Sequence, residues 1–228
     1  MRILRSAVGG ADSPGEQAVA QSLAGALDDA YALFRSVRLP RAEEPIDAVL
    51  VGPSGVLVMT IYEYVGTYAC DGDDWFHSPD SGQSWQPSVE NPVKQVLYDH
   101  IQLKAHLAQE NLRDVPFEQA VVFPNAKTHV NSRNPAVRLL WLKELPAYAR
   151  ELTGQSFLAP AQVNDVVAAL VRTVVSLASP ASSASPASQP SPRRADRSLL
   201  PWLIALAVLL TCNGAVCLGF VLAWLLKK

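Results

Sequence analysis

Cysteine is scarce in this chain, and its placement excludes the sites that cysteines commonly build. Three of the 228 residues are cysteine: Cys70 stands alone in the first 177 residues, while Cys212 and Cys217 lie in a long apolar run. This spacing fits neither a disulfide framework nor a set of zinc ligands. We therefore expect reduced thiols, in agreement with a reducing compartment.

Positive charge is also in short supply in the part of the chain that should fold. Residues 1–177 contain 14 Lys and Arg against 20 Asp and Glu, which gives a net charge of −6. Because Lys and Arg supply most of the affinity for a phosphate backbone, we expect no tight binding to nucleic acid. The N-terminal residues also lack the apolar stretch of about 7–15 residues that a secretory signal needs, so we expect no export of this domain.

A low-complexity segment follows the region that carries helix and strand signals. Residues 178–192 contain only Ala, Ser, Pro and one Gln, and Arg193, Arg194 and Arg197 come soon afterwards. Such a composition cannot bury a hydrophobic core. We therefore predict a loose linker with a basic end over residues 178–198.

The final apolar run predicts a membrane anchor. Residues 199–226 carry no charge and are long enough to cross the hydrocarbon core of a bilayer as a helix, and a pair of lysines follows at 227–228. We expect a single-pass membrane protein with its folded domain on the cytoplasmic side. Ala215 and Gly219 form a small-xxx-small pair, so the helix is either an oligomerising element or a plain anchor.

Helix and strand signals over residues 13–177 predict one α/β domain with a mixed sheet, preceded by a short segment at residues 1–12. Ser13 and Glu16 have the capping-box spacing at the start of the first helix, and Asn91 is an N-cap residue for the second. Apolar, β-branched runs bounded by Gly and Pro predict the strands. The predicted helices cover residues 14–29, 92–109 and 163–177, and the predicted strands cover 34–39, 46–51, 55–62, 67–70, 75–77, 117–123 and 137–142.

Several short motifs between residues 15 and 124 occur in the order typical of a family found mainly in bacteria. They are Gly15-Glu16, Ile46-Asp47, Gly55-Val-Leu-Val, Gly66, Trp75, Asn91-Pro92-Val93-x-Gln95 and a Val-Val-Phe that ends at Phe123. In this order the chain resembles the NERD domain, a nuclease-related domain placed with the PD-(D/E)XK nucleases. The resemblance implies a restriction-endonuclease-like mixed sheet flanked by helices.

The same resemblance implies a nuclease site that has lost part of its motif. In the family, the strand after the turn carries Glu-x-Lys, which together with a preceding Asp would hold magnesium and activate water. Here Thr60 and Tyr62 stand in place of the Glu and the Lys. Asp47 remains as the one expected metal ligand, and Glu16 and Gln95 complete what we interpret as a vestigial site.

Two nearby residues are candidates to replace the missing groups. Glu63 comes one position after Tyr62, and strand alternation points it to the face opposite Thr60 and Tyr62. Lys94 lies on the second predicted helix and would have to reach into the site. Catalysis with displaced residues requires both changes together.

Three functional hypotheses follow from these residues. The first is a membrane-anchored, catalytically inactive pseudo-nuclease that serves binding or regulation through an unidentified protein partner and needs no cofactor. The second is a Mg²⁺-dependent DNA nuclease that uses Glu63 and Lys94 as substitutes. The third is a passive domain on an oligomerising membrane anchor.

Overall fold

The computed structural model describes residues 1–5, 13–40, 42–154 and 156–178. The predicted linker beyond residue 178, the predicted transmembrane helix at 199–226 and the lysines at 227–228 lie outside these residues. Within the described ranges, none of the helices combines the length and the apolar character that crossing a bilayer requires.

The described part of the chain contains ten strands and four helices. In chain order they are β1 Arg2–Arg5, α1 Pro14–Ala24, β2 Ala32–Val37, β3 Ile46–Gly52, β4 Gly55–Ile61, β5 Gly66–Asp71, β6 Asp74–Ser78, β7 Gln86–Pro87, α2 Pro92–Gln109, β8 Phe117–Phe123, β9 Thr128–Arg133, β10 Arg138–Trp141, α3 Leu145–Thr153 and α4 Pro160–Ala178.

A six-stranded mixed sheet forms the centre of the fold, which confirms the predicted α/β class. Its strand order is β1-β2-β3-β4-β8-β10. Strands β2, β3 and β4 are antiparallel, whereas β1 runs parallel to β2, and β8 runs parallel to both β4 and β10. The parallel pairing of β4 with β8 requires a crossover connection, which α2 supplies over the face of the sheet.

A second, four-stranded sheet has the order β7-β6-β5-β9. The predicted hairpin is confirmed as the antiparallel pair β5 and β6. The sequence analysis did not anticipate that this hairpin would also pair with β9 in parallel. Strand β9 has a polar sequence and is mostly exposed, so it lacks the apolar run from which a strand is predicted.

The larger sheet is covered on both faces. One hydrophobic cluster packs side chains of α2 and α4, such as Val96 and Leu170, against strand residues such as Val49 and Val58. The other packs α1 and α3 against the alternate strand residues, Leu50 among them. This double coverage explains why β4 is buried along its whole length.

Several features differ from the sequence-based boundaries. Helix α1 ends at Ala24, not near residue 29, since Gly25 caps it, although Leu27 and Tyr31 still pack in the core. Strand β2 starts at Ala32, two residues before the predicted start, because Ala32 pairs with Arg2 of β1. Strand β1 comes from residues 1–12, which were predicted to precede the domain, and it joins the sheet. Helix α3 was not predicted, because it has no side-chain cap and only Pro146 in its first turn marks its start.

Candidate functional site

Helix α2 lies over the part of the sheet where β3 begins and β4 ends, and a cavity of about 490 Å³ opens between the helix and these strands. Asp47 of β3, Thr60 of β4 and Tyr62, which directly follows β4, line this cavity from the sheet side. Gln95 and Asp99 line it from α2. Four of the five sequence-predicted vestigial residues therefore meet in one place, together with one buried acid that was not predicted.

Asp47 is a partly buried carboxylate held by the backbone of the neighbouring strand. Its Oδ2 accepts a hydrogen bond of 2.7 Å from the backbone N–H of Ile61. Burial raises the pKa of Asp47 to about 6, although the Ile61 N–H acts to lower it. The charges of Glu16, Glu63 and Glu44 raise this pKa further. The site therefore favours a proton on Asp47 as the pH falls toward 6.

Asp99 is the acid that sequence reasoning missed. It is 4% exposed, and its Oδ1 accepts a hydrogen bond of 3.0 Å from Nε2 of Gln95, one helical turn earlier. Burial and then the charge of Asp47 raise the pKa of Asp99 to about 7. One signal was available, because Asp99 stands at helical spacing between Val96 and Leu103 in the apolar stripe of α2.

Thr60 and Tyr62, which the family resemblance aligns with Glu-x-Lys, have different surroundings. Thr60 is 7% exposed, and its Oγ1 has no hydrogen-bond partner among the described residues. The Tyr62 ring, 6% exposed, belongs to an aromatic cluster, and burial raises the pKa of its phenol. Its ring centroid lies within 6.2 Å of those of Tyr64, Tyr68, Trp75 and Phe123.

Glu16 serves the start of α1 and does not line the cavity. Its Oε2 accepts from the backbone N–H of Ser13, which completes the predicted capping box. Its Oε1 accepts a bond of 2.8 Å from the Ser36 hydroxyl on β2. Both carboxylate oxygens are thus used by structural hydrogen bonds, and Glu16 acts on Asp47 through its charge.

The two candidate substitutes are held elsewhere. Glu63 accepts from the backbone N–H of Gly15 and, at 2.7 Å, from the Ser13 hydroxyl, so its carboxylate lies at the N-terminus of α1. Lys94 is on α2, but its Nζ lies 2.9 Å from Asp74 and 3.8 Å from Asp73 on the hairpin. Neither side chain lines the cavity around Asp47.

The double use of Ser13 gives a prediction for α1. Ser13→Ala removes the acceptor for the Glu16 backbone N–H and the donor to Glu63, so we expect a loss of about 1 kcal/mol in the free energy of unfolding. Chemical denaturation of the full chain in detergent measures it. Gln21→Ala, at an exposed position of the same helix, is the matched control. Equal losses in both variants would contradict the capping role.

The donor set at the cavity is a poor match for the magnesium ion that the family resemblance implies. Within the described ranges, His, Cys, Asp and Glu side chains form no group of three able to hold a metal ion. One oxygen of Asp47 is taken by Ile61 and one oxygen of Asp99 by Gln95. Magnesium requires near-ideal octahedral oxygen ligands, and Thr60 offers a neutral hydroxyl at the position where the family resemblance implies a carboxylate.

A comparison with protein families identifies the class of protein to which this mixed sheet and acid-lined cavity belong. The family model described as NERD, nuclease-related domain, matches residues 11–124, which is half of the chain. The protein belongs to the NERD family. The matched range contains the whole cavity lining from Glu44 to Asp99, whereas β9, β10, α3 and α4 lie beyond it. Comparison with curated proteins and with solved structures gives no match.

Proposed function

We propose that this protein is a membrane-anchored NERD module that does not cleave nucleic acid and serves binding or regulation on the cytoplasmic face. The observation that carries the proposal is the state of the Glu-x-Lys positions: Thr60 presents a neutral hydroxyl, and Tyr62 is committed to an aromatic cluster. The family's nuclease chemistry needs a second carboxylate and an ammonium at these positions.

The electrostatics of the remaining acids support the same reading. Phosphodiester cleavage with Mg²⁺ requires carboxylates that stay ionised to fix the ion, and a cation to support the developing charge. Burial raises the pKa of Asp99 to about 7 and that of Asp47 to about 6, so near neutral pH Asp99 is partly protonated and, of these two acids, Asp47 alone remains mostly ionised. The cavity lining contains no Lys or Arg among the residues that the structure describes.

The restriction-endonuclease-like assignment of the fold belongs to this proposal. It is supported by the antiparallel β2, β3 and β4 and by the parallel β8, which α2 connects to them over one face of the sheet. The position of Asp47 at the start of the central strand β3, opposite the end of β4, agrees with this assignment.

The membrane anchor rests on the sequence of residues 199–226, which is uncharged over its whole length. Protease added to sealed inside-out membrane vesicles should digest the folded domain if it faces the cytoplasm. Protection of the domain in the same vesicles, with digestion in right-side-out vesicles, would overturn the orientation.

A cleavage assay tests the catalytic part of the proposal. We expect the full chain in detergent to leave labelled single- and double-stranded DNA intact with Mg²⁺ or Mn²⁺, at the level of an EDTA control. Asp47→Ala should behave identically, because no metal-dependent reaction is present to lose. Metal-dependent cleavage that disappears in Asp47→Ala would instead establish a nuclease with displaced residues, and Glu63→Gln and Lys94→Met would then identify them.

A further inference from the structure

The cavity beneath α2 has a one-sided charge. Its lining contains four carboxylates, Glu44, Asp47, Glu90 and Asp99, and no Lys, Arg or His among the described residues. Glu44 and Glu90 are exposed at the mouth, whereas Asp99 is buried at the back. This distribution repels phosphate and other anions and attracts a cation.

The Thr60 hydroxyl is the second observation that points to a ligand. It is more than nine-tenths buried, it lines the cavity, and it has no hydrogen-bond partner in the part of the chain that the structure describes. Buried hydroxyls are nearly always hydrogen-bonded, and valine would fill the same volume without an unmet polar atom. The hydroxyl is therefore available to a hydrogen-bond partner that enters the cavity from outside the domain.

Three acceptor groups converge on the cavity. Asp47 uses Oδ2 for the Ile61 N–H and Asp99 uses Oδ1 for Gln95, while no bond to the other carboxylate oxygens occurs within the described residues. With the Thr60 hydroxyl, one acceptor on each of three side chains remains. An alkylammonium group carries three N–H donors and no acceptor, which matches this set.

The cavity mouth adds apolar surface to these acceptors. Pro45 and Val89 line it together with the Tyr64 ring, and Val89 is fully exposed. Long amphipathic cations bury their methylene stem along apolar surface while the charged end makes polar contacts. Aromatic rings also attract such cations. A small inorganic ion would leave this surface unused.

We propose that the cavity binds a primary ammonium group on an aliphatic stem, with Asp47, Asp99 and Thr60 as its acceptors. The inference rests on the proposed function, because it assigns an organic cation to the site that would bind Mg²⁺ if the protein were a nuclease. Lys94 does not fill the cavity, since its ammonium is paired with the hairpin acids Asp73 and Asp74. The ammonium comes either from a free polyamine or from a lysine side chain of a partner protein.

Calorimetric titration of the full chain in detergent with n-butylammonium chloride tests the inference. Saturable binding is expected, with no response to 1-butanol, which has the same stem and no charge. Asp99→Asn and Thr60→Val should each weaken binding about tenfold, because the first removes a negative charge that faces the ammonium and the second removes an acceptor of a charged donor. Asp165→Asn, an exposed position on α4, removes one negative charge elsewhere and should leave the affinity unchanged.

The Thr60→Val variant also distinguishes a loss of binding from a loss of folding. Removing an unpartnered buried hydroxyl should leave the domain at least as stable as the parent chain, so weaker binding in this variant is not a sign of unfolding. Absence of saturation by n-butylammonium, or equal affinity in all variants, would overturn the inference.

Two further arms separate the inference from the proposed function and identify the source of the ammonium. If the chain binds MgCl₂ saturably, loses this binding in Asp99→Asn and does not bind the ammonium, the inference is overturned. The proposed function is decided separately, by the cleavage assay. Spermidine and a lysine-containing tetrapeptide compare the two sources, and the Nε-acetylated peptide is the control. Tighter binding of spermidine supports a free polyamine, and tighter binding of the unacetylated peptide supports a protein partner.

Discussion

Tyr62→Ala should lower the free energy of unfolding by about 3–5 kcal/mol, because removal of a buried aromatic ring leaves a cavity that the surrounding structure fills only partly. The ring is 6% exposed, and its centroid lies 5.1–6.2 Å from those of four other aromatic rings. Tyr62→Lys, which would restore the lysine of the family motif, removes the same ring. A variant that restores Glu-x-Lys at Thr60 and Tyr62 would therefore lose the same packing.

Denaturant-induced unfolding of the full chain in detergent, followed by near-ultraviolet circular dichroism, measures the effect. Tyr62→Phe is the matched control, since it keeps the ring and removes only the hydroxyl, and it should stay within about 1 kcal/mol of the parent chain. A loss below about 1 kcal/mol for Tyr62→Ala would mean that the cluster does not stabilise the domain.

Asp99→Asn should stabilise the protein above neutral pH and have little effect in acid. The pKa of Asp99 in the folded protein is about 7, well above the usual value of a carboxyl group, because of burial and the charge of Asp47. The folded state thus binds a proton that the unfolded chain releases near pH 4. Stability falls as the pH rises from about 4 to about 7, and above that range the buried charge exerts its full destabilising effect.

The asparagine side chain removes this charge and keeps an oxygen that can accept from Gln95. We expect a gain of about 1–3 kcal/mol at pH 8 and almost none at pH 4, where Asp99 is protonated in the folded protein. Unfolding curves of the full chain at the two pH values measure the difference. Asp165→Asn, at an exposed position of α4, should give no pH-dependent gain.

A gain of equal size at both pH values would contradict this account, because it would trace the effect to packing or helix propensity. A loss at pH 8 would contradict it more strongly, since it would mean that the ionised carboxylate of Asp99 makes a favourable interaction in the folded protein.

The elements with strong local signals could be predicted from the sequence. Helix α2 begins at Pro92 with Asn91 as its N-cap and ends at Gln109, as predicted. The prediction succeeds because the cap and the apolar stripe are both formed by residues close together in the sequence. Strand β8 is likewise found at residues 117–123. Strand β9 carries no such signal and depends on pairing with β5, which is distant in the sequence, whereas α3 has a proline in its first turn but no side-chain cap and was not predicted.

The site shows the same division between local and long-range information. Sequence motifs identified Asp47, Thr60, Tyr62 and Gln95, which the fold brings to one cavity. Asp99 escaped notice because its importance depends on which face of α2 meets the sheet. That orientation results from the packing of Val96 and its neighbours in the core, and single-sequence motifs do not encode it.

The aromatic cluster around Tyr62 has a consequence for how the domain folds. Phe123 ends strand β8 of the six-stranded sheet and Tyr62 directly follows β4 of the same sheet, whereas Tyr68 and Trp75 belong to the four-stranded sheet. A small sheet of short strands gains independent stability only when an apolar face is covered. Here the larger sheet supplies that cover through these rings, so the two sheets form and melt as one cooperative unit.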